Sequence, residues 1–131
     1  MSQRHSNVPV QLNAGEECQF QEILERVATK WSVQIILATA RGPVRFTELE
    51  NSIDGISRRM LTLTLRRLER DGLISRTVYP CVPPKVEYTA TEPALELREA
   101  FQSLAEWALR HRQTIAGARR EYDSLQPAST G

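Results

Sequence analysis

One segment constrains this chain more than any other: residues 55–88, opening Gly-Ile-Ser-Arg-Arg-Met-Leu and closing Val86-Glu87-Tyr88. Successive residues of an α-helix turn by about 100°, so Leu61, Leu65 and Leu68 share one face with Thr64 beside them. The opposite face carries Arg59, Thr62, Leu63, Arg66 and Arg70. Ser57 stands where its hydroxyl can accept an orphan amide proton of the first turn, and Gly72 where a left-handed residue ends a helix cheaply. Beyond it, residues 73–79 and 85–89 are rich in β-branched and aromatic side chains, with Pro80, Pro83 and Pro84 stiffening the stretch between. That pattern predicts a two-stranded hairpin.

The flanks supply what the leucine face needs to pack on. Phe20, Ile23, Leu24 and Val27 recur at helical spacing, with Glu22, Glu25 and Arg26 outward. A second helix is predicted over about residues 30–40, with Trp31, Ile35, Ile36 and Ala38 apolar, ended by Gly42-Pro43. Phe46-Thr47-Glu48-Leu49 begins a short helix that stops before Asp54-Gly55. Thr91-Glu92-Pro93 then opens a long helix reaching about Tyr122. The expected class is mainly α with a small β-hairpin wing (α+β): a winged helix-turn-helix with extra helices at both ends. Residues 1–15 are expected to be a loose arm, 16–125 one domain and 126–131 a polar tail; 131 residues are too few for two comfortable domains.

Composition excludes several function classes. No apolar run approaches the roughly 20 residues of a membrane helix, and the N-terminus lacks the apolar centre of a secretory signal. A cytoplasmic protein without membrane contact is expected. Cys18 and Cys81 are far apart and form neither a disulfide framework nor a metal pair. With only two histidines, His5 and His111, no nucleophile–base pair and no phosphate-cradling glycine loop, neither an enzyme, a metal site nor a cofactor is expected.

Charge placement points instead to nucleic acid. The formal net charge is only +1. Between residues 58 and 76, however, Arg58, Arg59, Arg66, Arg67, Arg70 and Arg76 face only Glu69 and Asp71. A local basic patch on a near-neutral protein can still supply phosphate contacts. Arginine binds guanine bidentately or clamps phosphate, while the methyl groups of Thr62 and Leu63 can meet a thymine methyl. The predicted contacts with double-stranded DNA are Arg58, Arg59, Thr62, Leu63, Arg66 and Arg70 on the helix, Ser57 at its N-terminus, Arg45 before the short helix, and Arg76 and Lys85 on the wing. On an isolated helix the same arginines would be a solvated face; the short helix before and the hairpin after favour DNA. The competing reading is a winged-helix module that docks protein or RNA without operator specificity, which an apolar groove face would have favoured.

In order and spacing these motifs resemble the HxlR-type winged-helix regulators, a bacterial family related to the MarR regulators. The likeness covers about residues 18–101. It includes Cys18, Lys30-Trp31, Gly42-Pro43-Val44-Arg45-Phe46-Thr47-Glu48-Leu49 and Gly55-Ile56-Ser57. It continues through Leu68-Glu69-Arg70-Asp71-Gly72-Leu73, Arg76-Thr77-Val78-Tyr79-Pro80, Val82-Pro83-Pro84-Lys85-Val86-Glu87-Tyr88 and Thr91-Glu92. The chain departs from the family at Gln19, where proline often follows the cysteine, around Pro93-Ala94, which lack a common glycine, and at Cys81, where an acidic residue is common.

The resemblance implies a homodimeric transcription factor, by default a repressor, on pseudo-palindromic operators, with dimer contacts from the first and last helices. The residues agree. In the last helix Leu97, Phe101, Leu104, Ala108, His111 and Ile115 form a stripe with Trp107 at its edge, and one small domain cannot bury both this stripe and the Phe20, Ile23, Leu24, Val27 face. A symmetric partner would bury both. His111 is read as a packed interface residue rather than a ligand. Because some family members sense oxidants, electrophiles or aldehydes through a cysteine at this place, Cys18 is the candidate redox sensor, although Glu16 and Glu17 oppose a thiolate there. A small-molecule or oxidant effector is the implied further partner.

Overall fold

The computed structural model describes residues 11–126. In chain order the elements are α1 (Ala14–Val27), α2 (Lys30–Ala40), β1 (Val44–Arg45), α3 (Phe46–Ser52), α4 (Arg58–Arg70), β2 (Ile74–Tyr79), β3 (Lys85–Ala90) and α5 (Glu92–Leu125). Helix α1 starts inside the segment expected to be a loose arm. Asn13 causes this: its side chain accepts the Glu16 amide proton at 2.8 Å, and its own amide donates to the Glu16 carboxylate at 3.1 Å. This reciprocal cap satisfies two orphan donors at once. The rest of the expected arm, residues 1–10, and the tail from 127 onward lie outside the described residues.

The core forms around α2. Ile35 and Ile36 are fully buried, as are Leu49 of α3 and Leu61 of α4. Ile53, Ile56, Leu65, Leu68, Ile74 and Ala94 complete the cluster, with Trp31, Phe46, Leu97 and Phe101 partly buried against it. Of the two buried hydroxyl residues of α2, Ser32 and Thr39, Thr39 donates to the Ile35 carbonyl at 2.8 Å, and no buried side-chain polar atom among the described residues is left unsatisfied.

The sheet has three strands rather than the expected two, in the order β1-β3-β2. The central strand β3 pairs antiparallel with β2 from Ile74↔Ala90 to Tyr79↔Lys85, and with β1 at Val44↔Tyr88 and Arg45↔Glu87. A two-residue strand is too short to show alternation, so its pairing was not legible in the pattern.

Two devices fix the end of α4. Gly72 adopts φ +77°; its amide donates to the Glu69 carbonyl at 3.1 Å, and the Leu73 amide reaches back to the Leu68 carbonyl at 2.9 Å. This pair of bonds is the Schellman arrangement, which satisfies carbonyls left over at a helix end. Thr91 was expected to open the last helix. It occupies the cap position, but its hydroxyl makes no cap bond and donates instead to the Gly72 carbonyl at 2.6 Å. The Thr91 amide adds a bond to the Leu73 carbonyl at 3.0 Å. The turn after α4 is therefore bolted to the start of α5.

Helix α5 spans 34 residues, about 50 Å at about 1.5 Å per residue. Ala94, Leu97 and Phe101 near its start pack on the core; Leu104, Trp107, Leu109, Tyr122 and Leu125 are exposed.

A methyl group added at Gly72 would meet nothing within 4 Å, so Gly72→Ala should cost only the left-handed backbone, about 1–2 kcal/mol. Urea unfolding checks this; a loss near zero would show that the turn relaxes.

Candidate nucleic-acid interface

The rotation of α4 decides which side chains it presents. Leu61, Thr64, Leu65 and Leu68 are buried, as the wheel predicts, and Ser57 caps the helix by accepting the Met60 amide proton at 3.0 Å. The outward face follows. Arg58, Arg59, Thr62, Leu63 and Arg66 line one shallow depression of about 340 Å³. Thr62 turns its hydroxyl back to the Arg58 carbonyl at 2.9 Å, so its methyl group is what remains to offer. Leu63 is half-buried at the rim.

The arginines expected to act together separate into three kinds. Arg58 is committed within the protein: its Nη1 lies 3.0 Å from a Glu50 carboxylate oxygen, and its guanidinium sits 5.0 Å from the centre of the Phe46 ring. It ties α3 to the first turn of α4. Arg59 and Arg66 have no ion-pair partner among the described residues. Arg70 does not join the others. One turn further on, it lines the groove between α1 and α5 with Glu22, Ile23 and Arg26. The wheel placed Arg70 on the right side of the helix but could not show where the neighbouring helices begin.

Arg45 is exposed, and its amide donates to Glu48 at 2.8 Å. On the wing, Arg76 Nε lies 3.7 Å from Glu69, and Lys85 lies 3.5 Å from Glu87 and 5.0 Å from the Tyr79 ring centre. Glu87 also draws on the Tyr79 hydroxyl, and that hydrogen bond is the main cause raising the Tyr79 pKa. At the wing tip Cys81 and Val82 are exposed.

Tyr88 was not singled out from sequence. It faces Arg76 across the β2–β3 register and shares a cleft with Arg66, Glu69, Arg76 and Phe46. Burial pushes its phenol above the ordinary value; the charges of Arg76 and Arg66 work against that and Glu69 with it. Strand alternation alone does not say which residue lies opposite, because register is set by the turn.

The apolar faces expected to pair two subunits divide likewise. Phe20, Ile23 and Leu24 of α1 and Leu104 and Trp107 of α5 are exposed, and Ala108 is exposed with them. Val27, by contrast, is buried within the protomer, because α1 turns it toward the domain it packs on. Leu97 and Phe101 are half-buried on the core. His111 stacks on Trp107 with ring centres 4.9 Å apart and takes part in a 3.2 Å hydrogen bond with the Trp107 carbonyl. Tyr122 and Leu125, which the sequence reading left out, continue the α5 stripe at the same helical spacing. Cys18 lies within α1 rather than before it, exposed and free, and Cys81 is free also. At about 100° per residue, Cys18 is half a turn from buried Val27 and so points away from the domain.

Comparison with known proteins gives this geometry its setting. The family model for the HxlR-like helix-turn-helix matches residues 26–116. The HTH-type transcriptional regulator YtfH of Escherichia coli (strain K12) is 40% identical over 92 residues, covering 70% of this chain and 73% of that protein. YkvN of Bacillus subtilis (strain 168), described in the same words, is 38% identical over 110 residues, covering 84% and 92%. Among solved structures, the transcriptional regulator ytfH from Salmonella typhimurium superposes with a TM-score of 0.70 at 32% identity, covering 84% of this chain and 99% of that one. The redox regulator HypR in its reduced form gives 0.68 at 35%, covering 76% and 98%. Diamide-treated YodB from B. subtilis gives 0.63 at 33%, covering 77% and 96%.

Proposed function

The chain belongs to the HxlR-like helix-turn-helix family, and we propose that it works as a homodimeric repressor on a pseudo-palindromic operator, with α4 in the major groove. It is a DNA-binding transcription regulator and not an enzyme, as its relatives are. The observation that carries the finer reading is that Arg59 and Arg66, on the exposed face of α4, have no ion-pair partner among the described residues. A guanidinium with no acidic partner can take a base edge or a phosphate without first breaking an ion pair.

The remaining contacts follow their surroundings. Thr62 and Leu63 offer methyl groups to base edges, and the amides after Ser57 face a phosphate. Arg45, Arg76 and Lys85 reach the backbone. Arg58 helps mainly by holding α3 against α4, and Arg70 sits in the groove beside α1. The domain is proposed to run from residue 14 to 125. Among the described residues no helix is long and apolar enough to cross a membrane, and a cytoplasmic location agrees with that. The alternative, a protein- or RNA-docking module, loses ground because the α4 face is arginine-rich rather than apolar.

A second subunit accounts for the exposed α1 and α5 stripes. Two copies related by a two-fold axis would bury them together and set two α4 helices on successive major grooves, about 34 Å apart. The signal is proposed to be oxidative. HypR has been solved in reduced and oxidised forms and YodB reduced and diamide-treated, and Cys18 is an exposed thiol on the helix expected to meet the partner.

Three outcomes are expected. Arg59→Ala and Arg66→Ala should each weaken operator binding by about 1–3 kcal/mol and lower the salt slope by about one, whereas Arg58→Ala acts chiefly on stability. Fluorescence anisotropy across salt concentrations reads this, and unchanged affinity in both variants removes α4 from the groove. Leu104→Glu should sediment as a monomer and lose at least about a hundredfold in operator affinity; a dimer by sedimentation equilibrium would move the interface elsewhere. Diamide should release wild type from its operator and leave Cys18→Ser bound. Equal release of both would exonerate this thiol.

A further inference from the structure

We propose that Arg66, Arg76 and the hydroxyl of Tyr88 form a seat for a single phosphodiester of the DNA backbone, where the recognition helix meets the wing. The proposal deepens the operator-binding reading and rests on it. The three groups line a cleft of about 310 Å³, with the Phe46 ring as part of its wall. Arg66 belongs also to the depression that holds Arg59 and Thr62, so one side chain joins the base-reading face to the cleft.

The Tyr88 hydroxyl accounts for the site being more than a pair of surface cations. It makes no hydrogen bond with any described residue, although the ring is half-buried. A half-buried ring wedged beside two guanidinium groups presents a fixed donor, and phosphate oxygens are acceptors with no protons of their own. A phenol is protonated at neutral pH and able to donate, and burial moves this one further in that direction, against the charges of Arg76 and Arg66. Glu69 is the apparent obstacle. Its contact with Arg76 is long, at 3.7 Å, and both side chains are nearly half exposed; such a pair yields readily to a better anion. Off DNA, Glu69 shields Arg76. On DNA, the phosphate replaces it.

The cleft also explains a feature of the wing. Tyr88 stands on the central strand, between Arg76 of β2 and Val44 of β1. A backbone contact made from the middle of the sheet is held more firmly than one made from the exposed tip.

The test uses the full chain and an operator duplex selected from a random pool, rebuilt with single methylphosphonates that each neutralise one phosphate. Neutralising the seated phosphate should weaken wild-type binding about tenfold, and in Tyr88→Phe the same replacement should cost about threefold or less. Tyr88→Phe keeps the ring, so the fold and its melting temperature should be preserved. It should weaken operator and unrelated duplex alike by about fivefold with an unchanged salt slope, because a neutral group releases no counterion, whereas Arg76→Gln should lower the slope by about one. Identical methylphosphonate profiles for wild type and Tyr88→Phe overturn the seat while leaving operator binding intact. A chain that binds no selected duplex at all overturns the parent reading, and the seat with it.

Discussion

The burial of Leu61, Leu65 and Leu68 against α2 and α3 is the constraint on which everything else rests. A helix is a rigid rod whose rotation is set by whichever face is driven from water. Once those three leucines are inside, with Thr64 closing the seam, Arg59 and Arg66 can only point out. No further interaction is needed to aim them. The caps at Ser57 and Gly72 then set where the rod begins and ends, which fixes where along it each arginine stands.

Electrostatics acts as a filter on that geometry. The chain has a net charge of only +1, and several of the cations on and around α4 are already answered: Arg58 by Glu50, Arg26 by Glu22 and Asp71, Arg76 by Glu69, Lys85 by Glu87. Exposed pairs of this kind contribute little stability, but they reduce the attraction to any polyanion at long range. On the outward face of α4, Arg59 and Arg66 carry no such pair among the described residues. A regulator that must leave non-specific DNA to find its site gains from this economy of free charge.

Much of this was legible in the sequence, and the reasons are local. Ser57 and Gly72 mark their helix ends by chemistry that depends on neighbours a few residues away. The leucine wheel holds over the whole of α4 because a buried face imposes a strict period. What escaped depends on distant partners. The Asn13–Glu16 cap was present as a motif yet sat in a segment with no apolar period to draw attention to it. Strand β1 is too short to announce itself, and the cluster of Tyr88 with Arg66 and Arg76 exists only because β2 and β3 pair in one register. Val27 and Arg70 show the limit of a helical wheel: it orders side chains around an axis but does not say which neighbour each one meets. Thr91 shows another. Its position is that of a cap, while its hydroxyl went to a stronger claim from across the turn.

That bond, from Thr91 to the Gly72 carbonyl, has a mechanical meaning. The turn that ends α4 and the head of a rod about 50 Å long share a single oxygen atom, backed by the Thr91 amide on Leu73. A tilt at the start of the long rod therefore pulls on the Gly72 carbonyl and, through it, on the last turn of α4.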